Sequence, residues 1–172
     1  MVQVSKLRPT VVVYSLPAGV LDNPVSADWA VNALAPAAVD TLNSGLVCRR
    51  FDDVTEEGIG FFLPIPSPAS SITIGLKSRA QTAPGTAKVV QTKLYTRTIL
   101  DNLAVPAWTS GTLLDLIDLP ANAFWQYNAQ TIALTTVGLV AGKLAQFELT
   151  RIPTGNTLVG DWSLLEVGIL FS

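Results

Sequence analysis

Four acidic residues, Asp52, Asp53, Glu56 and Glu57, stand close together and are the first place to look for chemistry in this sequence. Carboxylates at such short spacing can supply oxygen ligands to calcium, or can form the acid and base pair of a glycoside hydrolase. Their spacing matches no calcium-binding loop, however, and acidic residues that flank a strand are usually solvated turn residues. We therefore expect neither a metal site nor a catalytic pair at this position.

The rest of the chain offers little to a catalyst. It contains no histidine and a single cysteine, Cys48, among 172 residues. Nucleophilic catalysis therefore lacks its usual base, and neither a Gly-x-Ser-x-Gly nor a Ser-x-x-Lys motif is present. Zinc binding lacks its usual ligands for the same reason. The sequence favours a protein that is not an enzyme and holds no cofactor, with Cys48 as a small buried hydrophobic residue.

Three aromatic residues, Phe124, Trp125 and Tyr127, follow a Pro-Ala-Asn turn. Exposed aromatic rings at the end of a β-sandwich can stack on sugar rings, which would make this cluster a carbohydrate-binding site. The alternative, which we favour, is that the rings close the end of the sandwich or lie in a contact between subunits. We assign the three residues to an interface.

A second group of candidate interface residues consists of Lys93, Tyr95 and Arg97. These residues alternate along one predicted strand and therefore share one of its faces, as do Lys77 and Arg79 on another strand. Cations in such rows are typical of an outer face. We expect these faces to pair with acidic residues of a partner.

The composition indicates a surface that something covers. Apolar residues make up 49% of the chain and charged residues 14%, against about 25% charged in an ordinary soluble domain. The mean hydropathy of +0.41 agrees with this composition. A bilayer would need about 20 consecutive apolar residues in one helix, and Asp, Asn, Pro and Gly interrupt every candidate. We therefore expect partner proteins to cover this surface, and we expect no contact with a membrane.

The charge balance argues against nucleic acid as a partner. The formal net charge is −2, and Arg49 and Arg50 are the only adjacent pair of basic residues. Phosphate backbones are bound by clustered Lys and Arg side chains. We expect no nucleic acid to bind.

The elements that must position these residues are short strands. Ile72, Ile74 and Leu76 alternate with polar or small residues, which is the pattern of a strand with one buried face. Eight such segments follow one another, separated by Pro, Gly, Asn and Asp turns. They are 45–51, 58–65, 72–79, 88–100, 112–119, 130–139, 144–152 and 162–171. The sequence therefore predicts an all-β fold, an eight-stranded antiparallel jelly roll of the viral type.

Residues 1–44 differ from this pattern. They are rich in Ala, Val, Asn and Pro and show no sustained period after a strand-like stretch at 10–15. Such a segment cannot make a core of its own. We interpret 1–44 as an extended N-terminal arm and 45–172 as the jelly-roll domain. The apolar residues of the arm, including Trp29, Leu34 and Val39, are expected to dock on a neighbouring subunit or to fold back along the sandwich.

Three segments carry a resemblance to a known family. They are RRFDDVTEEGIGFFLPIP at 49–66, SITIGLKSRAQTAPG at 71–85, and AGKLAQFELTRIPTGNTLVGDWSLLEVGILFS at 141–172. The chain resembles small virion proteins of tailed bacteriophages that have a viral jelly-roll fold. The resemblance covers most of the chain and consists of strands and turns, without catalytic residues.

This resemblance implies a structural virion protein. Jelly-roll modules of this size in phages commonly decorate or cement the head, usually as homotrimers. The low charge favours that role here, with the major capsid protein as partner and the capsid exterior as location. The alternative is a receptor-binding or carbohydrate-binding jelly-roll module of a tail fibre or baseplate.

Overall fold

The computed structural model describes residues 12–18, 21–22, 35–41, 45–101 and 103–172. Within these ranges nearly all regular structure is β-strand, and no helix there could span a membrane. The strands are β1 (Val12–Pro17), β2 (Ala35–Pro36), β3 (Ala38–Thr41), β4 (Val47–Phe51), β5 (Glu57–Pro64), β6 (Ser71–Ala80), β7 (Lys88–Val90), β8 (Thr92–Ile99), β9 (Thr112–Leu113), β10 (Ile117–Leu119), β11 (Gln126–Ala133), β12 (Leu144–Arg151) and β13 (Trp162–Phe171).

The strands form two larger sheets and one small ribbon. The front sheet has the order β11-β6-β13-β4-β3, and β1 pairs with the part of β13 that β4 leaves uncovered. The back sheet has the order β2-β5-β12-β8-β9, and β10 and β7 form the ribbon. All pairs are antiparallel except β2 with β5. This arrangement confirms the all-β jelly-roll fold that the sequence predicts.

One apolar core lies between the two sheets. Ile72, Ile74 and Leu76 of β6 point into it, as their alternation predicts. Aromatic rings fill its centre: Phe61 stacks on Phe147 with centroids 5.0 Å apart. Phe51 and Trp162 pack at the same centroid distance at one end of the core, between β4 and β13. Because these side chains come from both sheets, their burial holds the sheets together.

Three of the eight predicted segments are broken or displaced, whereas the other five agree with the observed strands to within two residues at each end. The segment 88–100 is broken at Gln91. The backbone N–H of Gln91 donates to the Asn156 side chain and not to a neighbouring strand. The segment 112–119 is broken into β9 and β10. The predicted strand 130–139 lies earlier in the chain, as β11, because residues 134–138 form a turn that ends with Gly138 at a positive φ of 64°.

The described parts of residues 1–44 lie along the sandwich. Strand β1 pairs with β13, and β3 pairs with β4 at the edge of the front sheet. Ala18, Leu21 and Ala37 are buried in the common core. The guanidinium of the buried Arg49 fixes this course, since it donates to the carbonyls of all three residues. The division of the chain at residue 44 stays a prediction.

Candidate functional site

Tyr127 lies on the outer face of the front sheet, across two glycines. Strand pairing places Gly75 of β6 opposite Ala129 of β11 on one side and opposite Gly168 of β13 on the other. A methyl group added at Gly75 would overlap the Tyr127 ring and hydroxyl. The ring therefore occupies the space of the missing side chain. Because Tyr127 is 63% exposed, the ring face that points away from the sheet is open to solvent.

This ring forms one wall of a groove of about 180 Å³ on the outer face of the front sheet. The groove is lined by Val13, Thr73, Tyr127, Gly168, Ile169 and Leu170. Its other wall is apolar, with Val13 exposed to 66%. The Thr73 hydroxyl, which bonds the Thr131 hydroxyl at 2.7 Å, adds a polar group. The groove thus combines an aromatic ring, apolar surface and a hydroxyl group.

A second depression, of about 350 Å³, lies where β1 and β4 meet the same edge of β13. Its lining includes Ser15, Pro17, Leu46, Val47 and Glu166. The Ser15 hydroxyl donates to the Glu166 carboxylate at 2.7 Å. Ser15 and Glu166 lie two residues beyond Val13 and Gly168 along their strands, and so on the same face as the groove. The outer face of the front sheet therefore offers hydroxyl and carboxylate groups beside its apolar surface.

The other two members of the aromatic cluster lie just before β11. Trp125 is half-buried beneath the guanidinium of Arg79, whose central carbon is 4.9 Å from the ring centroid. Arg79 shares a face of β6 with Lys77, which is the partner of Tyr127, so Trp125 beneath Arg79 lies on the same outer face as Tyr127. Phe124 is 68% exposed at the end of the preceding turn. The three predicted residues thus lie beside one another, and the hydroxyl end of the Tyr127 ring covers Gly75.

Lys93, Tyr95 and Arg97 lie together on the outer face of the back sheet, as their spacing predicts. The Lys93 ammonium lies 4.8 Å from the Tyr95 ring centroid, and the Arg97 guanidinium carbon 4.6 Å from that of Trp108. Arg97 also donates to the Gln146 side chain at 2.7 Å. These groups therefore already interact within the chain. Their assignment to a subunit interface stays a prediction.

The three arm residues assigned to an interface are only partly described. Val39 lies in β3 at the edge of the front sheet and is 56% exposed. Trp29 and Leu34 lie outside the described residues. The predicted interface residues in the described ranges therefore occupy three separate places: the start of β11, the back sheet and β3.

The acidic residues near β4 build the turn that joins the two sheets. The Asp52 carboxylate accepts the backbone N–H groups of Val54 at 2.6 Å and Thr55 at 3.1 Å. The Glu57 carboxylate accepts the Asp52 N–H at 2.6 Å. Backbone donors hold the pKa of Asp52 below its usual value, whereas burial raises the pKa of Glu57. These hydrogen bonds tie Asp52 and Glu57 into the turn.

A different set of carboxylates comes close enough to hold a cation. Oxygen atoms of Asp52, Asp53 and Asp161 lie within 4.8 Å of one another, while Glu56 and Glu57 fall outside this set. Arg151 is fully buried beside them, and its charge acts on all three carboxyl groups. The negative charges of the three carboxylates therefore already act on the positive charge of Arg151.

Sequence reasoning missed the groove, although part of its signal was present. Gly75 interrupts the alternation of β6, and a glycine inside a strand often marks a close approach of another group. Which group approaches depends on the register of β6 with β11 and β13, which joins residues far apart in the sequence. The outward position of Val13 depends on the pairing of β1 with β13 in the same way.

No protein-family model and no curated protein matches this chain. Among solved structures, it is similar to the Arthrobacter globiformis T6 isomalto-dextranase complexed with panose, with 14% identity and a TM-score of 0.55. That match covers 91% of this chain but 23% of the isomalto-dextranase, so this chain spans less than a quarter of that protein. It is also similar to a family 35 carbohydrate-binding module from an environmental isolate, with 10% identity, a TM-score of 0.50 and 91% of each chain covered. At these identities the likeness shows the fold alone.

Proposed function

We propose that this chain is a saccharide-binding module whose binding surface is the outer face of the front sheet. The observation that carries the proposal is the Tyr127 ring, which lies over Gly75 with one face open at the wall of a groove. A sugar ring presents an apolar C–H face, and an exposed aromatic ring is the complementary surface. The ring already packs over Gly75 before any ligand arrives, which lowers the entropic cost of binding.

The rest of the surface supports the same ligand class. Saccharides carry hydroxyl groups around their apolar faces, and sites for such ligands pair apolar surface with a few placed polar groups. Here Thr73 lies inside the groove, and Ser15 and Glu166 lie on the same face in the neighbouring depression. We propose that these groups contact sugar hydroxyls while Tyr127 contacts the ring.

The two similar solved structures support the choice of ligand class. One is a carbohydrate-binding module, and the other is an enzyme complexed with the oligosaccharide panose. In a phage particle, a module of this kind would belong to a tail fibre or baseplate, which is the alternative that the sequence left open.

Affinity electrophoresis with two matched variants tests this proposal. Dextran serves as the first gel-embedded polysaccharide, followed by a panel of other glucans and host-surface glycans, and panose serves as the ligand for calorimetry. Tyr127→Ala removes the ring, and Tyr127→Phe keeps the ring but removes the hydroxyl. We expect retardation of the wild-type chain by at least one polysaccharide, near-wild-type retardation of Tyr127→Phe, and a tenfold or greater loss of affinity in Tyr127→Ala.

Two outcomes would contradict the proposal. The first is that no glycan of the panel retards the wild-type chain. The second is that Tyr127→Ala binds as well as the wild type. Near-ultraviolet circular dichroism checks that the sandwich is intact in both variants, as we expect because Tyr127 lies outside the core.

A second candidate is the structural virion role, as a head decoration protein that forms trimers. The observation that favours it is the number of apolar side chains that the described surface leaves exposed. Val105, Leu113 and Leu103 are 55%, 57% and 66% exposed, and Val159 is 88% exposed. Surfaces of this kind are covered in assemblies. Sedimentation equilibrium of the purified chain and quantitative mass spectrometry of phage particles test this role: a monomer present in a handful of copies per particle would contradict it.

A further inference from the structure

Strand β11 is the last strand of the front sheet and pairs on one side only. Its eight residues pair with β6 in a continuous register without a bulge, and no other described strand pairs with it. A long edge strand of this kind presents a row of unpaired backbone N–H and C=O groups, which is a template for a further strand.

The hydrogen bonds of β6 show which backbone groups of β11 are free. The Ser71 and Ser172 backbones exchange hydrogen bonds at 2.9 and 3.2 Å, so the odd-numbered residues of β6 bond β13. The even-numbered residues of β6 therefore bond β11, where their register partners are also even-numbered. The backbone groups of Tyr127, Ala129 and Thr131 point away from β6 and have no hydrogen-bond partner among the described residues.

The sequence of β11 does not protect this edge. Natural sheets guard their edges with charged residues, proline, bulges or very short strands. Strand β11 reads QYNAQTIA, without a charge or a proline. The other described edge strands each have such a device: β2 and β9 have two residues each, β3 contains Asp40, β10 contains Asp118, and β1 ends at Pro17. The β11 edge is thus open to pairing.

We propose that this edge pairs with the β11 edge of a second copy of this chain, antiparallel and across a two-fold axis at Ala129. Ala129 then faces Ala129 of the other copy, and Tyr127 of each copy faces Thr131 of the other. Each such pair exchanges two backbone hydrogen bonds, so every free group of these residues gains a partner. A copy is the favoured occupant because an uncharged strand meets itself without like-charge repulsion and offers no charge that would select a different chain.

An exposed apolar side chain beside the edge supports the same occupant. Segment 114–117 lies beneath β11, where the Asp115 N–H donates to the Gln130 side chain at 2.9 Å. Leu116 of this segment lines the same small cavity as Ala129, and it is 49% exposed. In the two-fold pair the two segments 114–117 lie on the same side of the joined sheet, so Leu116 gains apolar cover.

The pairing goes beyond the saccharide proposal and does not depend on it. A two-fold axis between antiparallel strands of one sheet is perpendicular to that sheet, so the outer faces of both copies lie on the same side. The dimer therefore presents two Tyr127 rings on one surface, and a polymer with repeating units can contact both at once.

Sedimentation velocity of the full-length chain over a hundredfold range of concentration tests the proposal. We expect the mass to rise from that of one 18.3 kDa chain to twice that value. Ala129→Pro removes an N–H that points away from β6, so it should keep the ladder with β6 and weaken dimerisation tenfold or more. A wild-type chain that stays monomeric, or that forms a trimer, overturns the proposal.

Charge variants at the axis test the register and replace Ala129→Pro if that variant fails to fold. Ala129→Lys and Ala129→Glu each place like charges opposite one another, so each alone should dimerise at least tenfold more weakly than the wild type. An equimolar mixture of the two should form a heterodimer. Ala83→Lys, in the exposed turn after β6, adds the same charge away from the edge and should dimerise as the wild type does. Undiminished dimerisation of Ala129→Lys, or a mixture that stays monomeric, overturns the proposal.

Amide hydrogen exchange of the wild-type chain gives a readout at single residues. The Tyr127, Ala129 and Thr131 amides should be protected at high concentration and should exchange rapidly on dilution. The Asn128 and Gln130 amides bond β6 and should be protected at both concentrations. Rapid exchange of the three odd-numbered amides at high concentration would show that a dimer uses another surface, and would overturn the proposal.

Discussion

Tyr127 and Tyr95 occupy outward positions on the two sheets of the sandwich, yet their rings have opposite surroundings. Tyr127 lies over Gly75, and its outer ring face is open. Tyr95 is half-buried, with the Lys93 ammonium over its ring and the backbone of Gly111 close to its edge. The same side chain is thus a surface available to a ligand on the front sheet and part of the protein's own packing on the back sheet.

The strands that carry or adjoin the two tyrosines show the same contrast. On β12, which pairs with the strand of Tyr95, the outward residues Gln146, Glu148 and Thr150 are 2%, 0% and 0% exposed. On β11 the outward residues are exposed along the whole strand. The outer face of the front sheet is therefore the one on which an incoming molecule can replace solvent.

Alanine substitution of Gly111, beside Tyr95, and of Gly75, beside Tyr127, should give the largest difference between the packing role and the binding role. A Cβ at Gly111 would lie 2.7 Å from Tyr95 Cε1, at a positive φ of 80°. The left-handed backbone and the crowding together should lower the free energy of unfolding by about 3 kcal/mol. At Gly75 the Tyr127 ring can swing into solvent, so Gly75→Ala should lose polysaccharide binding with little loss of stability. Urea denaturation measures the loss of stability, and affinity electrophoresis measures the loss of binding. Loss of binding in Gly111→Ala but not in Gly75→Ala would contradict the assignment of the binding surface to the front sheet.

Removal of each ring gives a smaller but cleaner contrast. Tyr95→Ala should lower the free energy of unfolding by about 2 kcal/mol, because it empties half-buried space, and should leave polysaccharide binding unchanged. Tyr127→Ala should change the free energy of unfolding by less than about 0.5 kcal/mol, while binding falls. Chemical denaturation with both variants in one buffer checks this, and a larger loss of stability in Tyr127→Ala would contradict it.

The turn between the two sheets should respond to pH in two directions. The lowered pKa of Asp52 stabilises the fold above the ordinary carboxyl range, and this contribution is lost as the pH falls through the folded-state pKa. The raised pKa of Glu57 has the opposite sign, since its stabilisation is complete at low pH and declines as the pH rises through the folded-state pKa. Asp52→Asn should therefore have a lower Tm than the wild type at pH 7, and Glu57→Gln an equal or higher one.

Thermal unfolding across pH 3–7 measures both variants. The difference between Asp52→Asn and the wild type should shrink as the pH falls below the ordinary carboxyl range, because the wild-type carboxyl then also becomes neutral. A pH-independent difference would mean that the charge of Asp52 contributes nothing. Polysaccharide binding at pH 7 should be unchanged in both variants, because the turn is not part of the groove.

The smallest expected effect is at Arg79, which covers Trp125 as Lys93 covers Tyr95. Arg79→Gln removes the cation over the Trp125 ring and should cost about 0.5 kcal/mol of unfolding free energy. Tryptophan fluorescence should report a more exposed indole. If Trp125 adds to the saccharide surface once it is uncovered, retardation by polysaccharide increases; a decrease would show that Arg79 itself contacts the ligand.

The sequence predicts the sheets far better than it predicts the groove. Alternation in β6 places Ile72, Ile74 and Leu76 in the core, because a period of two is a local property of a strand. The groove requires Val13, Gly168 and Tyr127, which meet only through pairings between distant strands. Local pattern thus determines burial, whereas register determines which exposed residues meet.

The position of β13 also determines when the groove can form. Val12 pairs with Phe171, and β6 meets the same strand from its other side. Contacts between residues so far apart are slow to form, because a long loop must close first. During synthesis, β6 and β11 leave the ribosome well before β13, so Tyr127 and Gly75 can meet early, whereas Gly168, Leu170 and Val13 join them only after the last strand. Ribosome-bound chains that stop before β13 should therefore lack the groove, although they already contain its aromatic residue.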